Sequence, residues 1–196
     1  MAASALRAAA SKAFALRASA PKAAARRGSR RTSPRVNPAG VVETVLRGYV
    51  DRGVFRSLGA PAPRGAQTAF TIGWHHGRSF RFVVDRTAGT VSFPAVLPTI
   101  PARSPMLGEL RRFTRQFTNS DLPPHRCVDP AKGRLHLASR PAGVSLSLTV
   151  VRGEWEYCTR RLVHIAHEIY MVFLPDGPYQ EYRVAKLGLD PDTVWT

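Results

Sequence analysis

No acidic residue occurs before Glu43. The first 42 residues hold nine of the chain's 29 Lys and Arg and none of its 13 Asp and Glu. A stretch so unbalanced, made otherwise mostly of Ala, Ser and Gly, cannot bury enough apolar surface to fold alone. Cysteine is nearly missing: Cys127 and Cys158 are the two present. Two thiols without Cys-x-x-Cys spacing exclude a disulfide framework and fit a reducing compartment with both thiols free. No apolar run approaches the ~18 residues that cross a bilayer. No continuous apolar stretch follows the N-terminal charges, so a secretory signal is not expected. The sequence also has no Gly-x-Ser-x-Gly elbow and no Walker loop, and no RNP-type, KH or zinc-finger string.

What is present divides the chain into three parts. Residues 1–38 are Arg-rich, Ser-rich and acid-free, the composition of an organellar transit peptide. The Met-Ala start and the Ala content favour a plastid over a mitochondrion. The alternatives are a basic nucleic-acid-binding arm and a mis-assigned start in a bacterial cytoplasmic protein. Residues 39–175 read as one folded domain, and 176–196 as a C-terminal extension. With the leader set aside, the net charge of +16 drops to +7, from 20 basic and 13 acidic residues. A moderately basic body suits anionic partners as well as a merely solvated surface.

The periodicity of the body predicts alternating layers. Val41, Val42, Val45, Leu46, Tyr49 and Val50 recur at helical spacing and predict a helix from Pro38 to Leu58. Phe70, Ile72 and Trp74, then Phe80, Phe82 and Val84, then Val91 and Phe93, alternate with period two and predict a three-stranded antiparallel meander. Pro94, Pro98 and Pro101 are expected to stop its third strand. Ser104 and Pro105 open a second helix, the former as cap and the latter at the first helical position. Its buried stripe is Met106, Leu107, Leu110, Phe113 and Phe117. Leu135 and Leu137, then Val144, Leu146, Leu148 and Val150, predict a hairpin. A last long helix runs from Glu154 to Leu174, with Trp155, Cys158, Leu162, Ile165, Ile169 and Val172 on one side. A short helix follows at Tyr179 to Leu187. The fold class is α+β: an antiparallel sheet of about five strands, in the order helix, three strands, helix, two strands, helix, with the helices on one face.

That order resembles the YbjN-like and type III secretion chaperone-like superfamily from Val41 to Leu174. Three landmarks carry the resemblance: the meander from Phe70 to Phe93, the hairpin VDPAKGRLHLASRPAGVSLSLTVV, and a long helix directly after it. The resemblance implies a small, often dimeric domain that holds protein segments and performs no chemistry. The expected function is therefore non-enzymatic protein binding, chaperone-like or assembly-assisting, in an organelle. The expected partner is a client protein or a second copy of the chain, and no cofactor is expected. Val144, Leu146, Leu148, Trp155, Tyr157 and Tyr170 are the residues expected on the working or dimerising surface.

Two other classes stay open. Arg111, Arg112 and Arg115 on one helix and Arg160 and Arg161 on another are candidates for a phosphate-binding face, which would make the protein an organellar nucleic-acid-binding factor. Phe80, Phe82 and Phe93 could stack bases, but their alternation suits a core better. His164, His167 and Glu168 form the most enzyme-like string, with two imidazoles and a carboxylate within about one helical turn. That set is the candidate for a metal-dependent enzyme. It departs from zincin motifs, in which the Glu stands between the two His residues. The simpler reading is a helix-surface cluster. His75 and His76 read as a surface turn.

Overall fold

The structure is a computed structural model that describes residues 37–97, 100, 104–119, 122–175 and 178–188. The leader expected over 1–38 lies outside the described residues except for Asn37 and Pro38, which start the first helix. Helix α1 spans Pro38–Asp51, with Pro at its first position, where a missing N–H costs no hydrogen bond. Its buried residues are Val42, Val45 and Leu46. The helix ends well before Leu58. Gly53 takes a φ of +72°, a conformation open to Gly without strain. The chain then turns Phe55 into the core, where it is 2% exposed.

Among the described residues seven strands follow in one sheet: β1 (Ser57–Leu58), β2 (Ala62–Arg64), β3 (Gln67–Trp74), β4 (Arg78–Asp85), β5 (Thr90–Leu97), β6 (Gly133–Arg140) and β7 (Gly143–Val150). Their spatial order is β1-β3-β4-β5-β7-β6, with β2 also paired to β3, and every pairing is antiparallel. The α+β class and the antiparallel sheet are as the sequence predicts. The two extra strands are too short to carry an alternating pattern. The β3–β4 turn places His76 and Gly77 at φ of +52° and +72°. Two successive left-handed residues are what a type I′ hairpin needs. Pro94 does not stop β5. The strand continues to Leu97, and its register with β7 shifts between Phe93 and Leu97. A bulge accommodates the residue that has no N–H to donate.

One face of the sheet is apolar across its width. The register aligns Phe70 with Phe82, Ile72 with Phe80, Val84 with Val91, Phe93 with Leu146, and Leu146 with Leu137. The opposite face carries Thr71, Arg81, Ser92, Ser147 and Arg134. Helices α1, α2 (Pro105–Arg115) and α3 (Trp155–Glu168) join the apolar face in a single core cluster. Ser104 caps α2: its side chain accepts from the Leu107 N–H at 3.3 Å. Helix α4 (Pro178–Leu187) follows, and Tyr179, expected in a separate extension, is buried in the same core.

The last turn of the long helix is not α-helical. Residues Ile169–Phe173 form a π turn, in which the Leu174 N–H reaches the Ile169 carbonyl. One extra residue in the turn rotates everything after it. Val172, expected on the buried stripe, is 40% exposed, while Phe173 and Leu174 go inside.

Gly133 begins β6 against α3. A Cβ there would stand 2.8 Å from Cys158 Sγ, whose thiol donates to the Lys132 carbonyl at 3.3 Å. Gly133→Ala should therefore cost about 1–3 kcal/mol by overpacking. Cys158→Ala in the same chain should recover part of that loss, and denaturant midpoints of the two single variants and the double variant measure the coupling. Strictly additive losses would show that the close approach is relieved elsewhere.

Candidate functional site

Strand β7 lies between β5 and β6, so both of its edges are paired. Val144, Leu146 and Leu148 are each 0% exposed, and Tyr170 is 3% exposed. These four were expected on a binding surface and are core instead. Their alternation marks the covered face, which a partner cannot reach while the sheet is intact. Trp155 and Tyr157 are half-buried and pack against the core. Tyr157 is also held locally: its hydroxyl donates to the Cys127 carbonyl at 3.2 Å and accepts from the Asp129 N–H at 2.7 Å.

The accessible edge belongs to β6. It pairs with β7 on one side and ends the sheet on the other. Among the described residues, the backbone from Arg134 to Arg140 makes no hydrogen bond outside the β6–β7 ladder. Arg134, His136 and Arg140 are exposed, and Leu135 and Leu137 are half-buried. Helix α2 lies over the inner side of this edge. Between them is a groove of about 290 Å3 lined by Arg111, Thr114, Arg115, Thr118, Leu135 and Leu137. The groove thus has an apolar floor and a basic rim, with no carboxylate in its lining.

The five arginines proposed as a phosphate-binding face are not deployed as one. Arg112 pairs with Glu109 at 2.5 Å, and Arg160 pairs with Glu156 at 2.9 Å. Arg161 donates to the His125 carbonyl and lies 5.3 Å over the Tyr157 ring. Arg111 and Arg115 make no ion pair among the described residues, and both line the groove. Phe80, Phe82 and Phe93 are buried, at 5%, 0% and 1% exposure, and offer no stacking platform.

The three metal candidates are also split. Glu168 is shared between Arg126, at 3.2 Å, and His164, at 3.5 Å. His167 turns elsewhere and stacks on His75, with ring centroids 5.3 Å apart. Among the described residues, no group of three His, Cys, Asp or Glu side chains is placed to hold a metal ion. Helical spacing correctly predicted the contact between His164 and Glu168. It could not show Arg126, which comes from a distant loop, or His75, which comes from the sheet.

Sequence reasoning missed the cluster that His75 makes. The His75 ring stacks on Tyr170 at 4.6 Å and an 8° tilt, and meets Trp74 at 4.1 Å with the rings inclined by 32°. The Tyr170 hydroxyl donates to the Val96 carbonyl at 2.8 Å. Burial pushes the Tyr170 phenol up to about 12, against a smaller opposing effect of Arg78. The π turn positions this tyrosine, so the irregular helix end, the β3–β4 turn and the bulged strand meet at one place. His75 is half-buried, not a free surface turn residue, and its Nε2 has no hydrogen-bond partner. The arrangement holds no nucleophile paired with a base.

Comparison with protein-family models, with curated proteins and with solved structures yields no match. No helix among the described residues is long and apolar enough to cross a membrane.

Burial, with smaller contributions from the neighbouring His167 and His76, lowers the His75 imidazole to about 4. The folded protein therefore disfavours the charged ring, while the unfolded chain protonates it near 6.5. This contribution to stability is complete above pH 6.5 and is lost as pH falls toward 4. His75→Phe should keep the stack and flatten the fall in urea midpoint over that window. An unchanged pH slope in the variant would show that His75 does not titrate in this way.

Proposed function

We propose that the domain is a non-enzymatic protein-binding module, chaperone-like or assembly-assisting, that captures an extended segment by adding it to the edge of β6. The observation that carries this reading is the edge strand β6, whose backbone from Arg134 to Arg140 makes no hydrogen bond outside its hairpin among the described residues, and which is bordered by an apolar-floored groove. An unpaired strand edge presents a row of N–H and C=O groups that a second chain can complete. The backbone ladder supplies affinity, and pockets for alternate side chains supply selectivity.

The chemistry of the other clusters supports the same choice. His167 stacks on His75, Glu168 pairs with Arg126, and Arg112, Arg160 and Arg161 have partners inside the fold, while Arg115 reaches a carbonyl of its own helix. The resemblance in element order to the YbjN-like and type III secretion chaperone-like domains points the same way, but fold order does not carry function by itself. On this reading the acid-free composition of the leader supports an organelle, with a plastid favoured.

Carboxylates on the groove floor test the site. The full-length chain should suppress light scattering by a chemically unfolded, aggregation-prone protein. Leu135→Asp with Leu137→Asp should weaken that suppression about tenfold, the scale of losing a few well-placed contacts. Both positions are half-buried against the core, so circular dichroism first establishes that the double variant is folded. Full suppression by the folded double variant would place the binding surface elsewhere.

A further inference from the structure

The edge of β6 is chemically two-sided. Leu135 and Leu137 face the groove beside α2, while Arg134, His136 and Arg140 stand on the opposite face of the same strand. No ion pair engages Arg134 or Arg140 among the described residues. His136 shares a contact with Thr149 at 3.1 Å, on the open face. A strand added here would alternate in step with β6. Its groove-side residues would meet the leucines, and its outward residues would meet the arginines. Arg111 and Arg115 at the groove rim add positive potential without a compensating carboxylate.

We infer that the partner segment is an extended peptide in which acidic and apolar residues alternate. This deepens the strand-capture reading and rests on it. The same charges disfavour a second copy of the chain at this edge. Antiparallel self-pairing of β6 about Leu137 would set Arg134 opposite Arg140, and like charges directly opposite destabilise a pair. A cationic edge thus resists self-association and admits an anionic strand. A nucleic acid would satisfy the arginines, but it would leave the strand's backbone groups and the leucine floor without complements.

The test uses the full-length chain and labelled peptides of eight residues, matching the length of β6. The probe alternates Val and Glu. Three comparators alternate Val and Thr, alternate Val and Lys, or carry the probe's composition in two blocks, four Val then four Glu. Fluorescence anisotropy should show the Val/Glu probe bound about tenfold tighter than each comparator, the scale set by several exposed charge pairs. The advantage should shrink with added salt. The block peptide controls for attraction to the basic leader, because it has the same charge without the alternation. Arg134→Glu with Arg140→Glu, both exposed substitutions, should invert the preference toward Val/Lys. Amide exchange should show new protection between residues 134 and 140 on binding.

Equal binding of the block and alternating peptides would overturn the inference, as would an unaltered preference in the charge-reversed variant. If the Val/Thr peptide protects β6 as well as Val/Glu does, strand capture stands and the acidic partner falls. If no peptide protects β6, or a single-stranded oligonucleotide displaces the probe without protecting it, both readings fall.

Discussion

The interior position of β7 is the constraint on which the rest of the domain depends. Val144, Leu146 and Leu148 are buried because β5 and β6 flank their strand and helices roof its inner face. With β7 paired on both sides, its hairpin partner β6 ends the sheet. The long-range return from β5 through α2 therefore decides which backbone edge remains open. It also lays α2 alongside that edge and makes the groove. The candidate site is thus a by-product of topology: core residues determine where it lies, and exposed arginines determine its chemistry.

The two edges of the sheet are treated differently. Beside β3 run two short pieces, Ser57–Leu58 and Ala62–Arg64, the latter containing a proline. Short strands and proline are common ways to deny pairing to another chain. The β6 edge is long and continuous, and among the described residues it is guarded by charge alone. Charge discriminates among partners, whereas proline rejects them all. The contrast between the two edges is what makes β6 a binding surface in this account and not an unprotected flank.

Much of the architecture was legible because period two and period 3.6 are distinct signals. Phe70, Ile72 and Trp74 alternate as a one-sided strand does, and Ser104 with Pro105 carries the cap and Pro signal that opens a helix. The failures share a physical cause. Ser57–Leu58 and Ala62–Arg64 are too brief for any period. Pro94 obeys the rule that proline avoids ladders, but a bulge satisfied that rule without ending the strand. The π turn at Ile169–Phe173 changes the helical period itself, which misplaced Val172. For the site, the same alternation that correctly revealed β7 led its residues to be assigned to a surface. Burial depends on sheet order, which is set by non-local pairing and is invisible to a window of neighbours. His75 shows the same limit, since its partners Tyr170 and His167 are almost a hundred positions away in the chain. Arg111 and Arg115 were found by sequence as candidates, but that they line the groove while Arg160 and Arg161 are engaged by Glu156 and the His125 carbonyl required the fold.

The central claim, that the outer edge of β6 is unpaired in the free protein, is tested most directly by residue-resolved amide exchange on the unliganded full-length chain. In an antiparallel pair, alternate residues exchange hydrogen bonds across the ladder and the others point away from it. The account predicts slow exchange throughout β7 and an alternation of slow and fast amides from Arg134 to Arg140. Uniformly slow exchange along β6 would show that its outer edge is already occupied and would contradict the account.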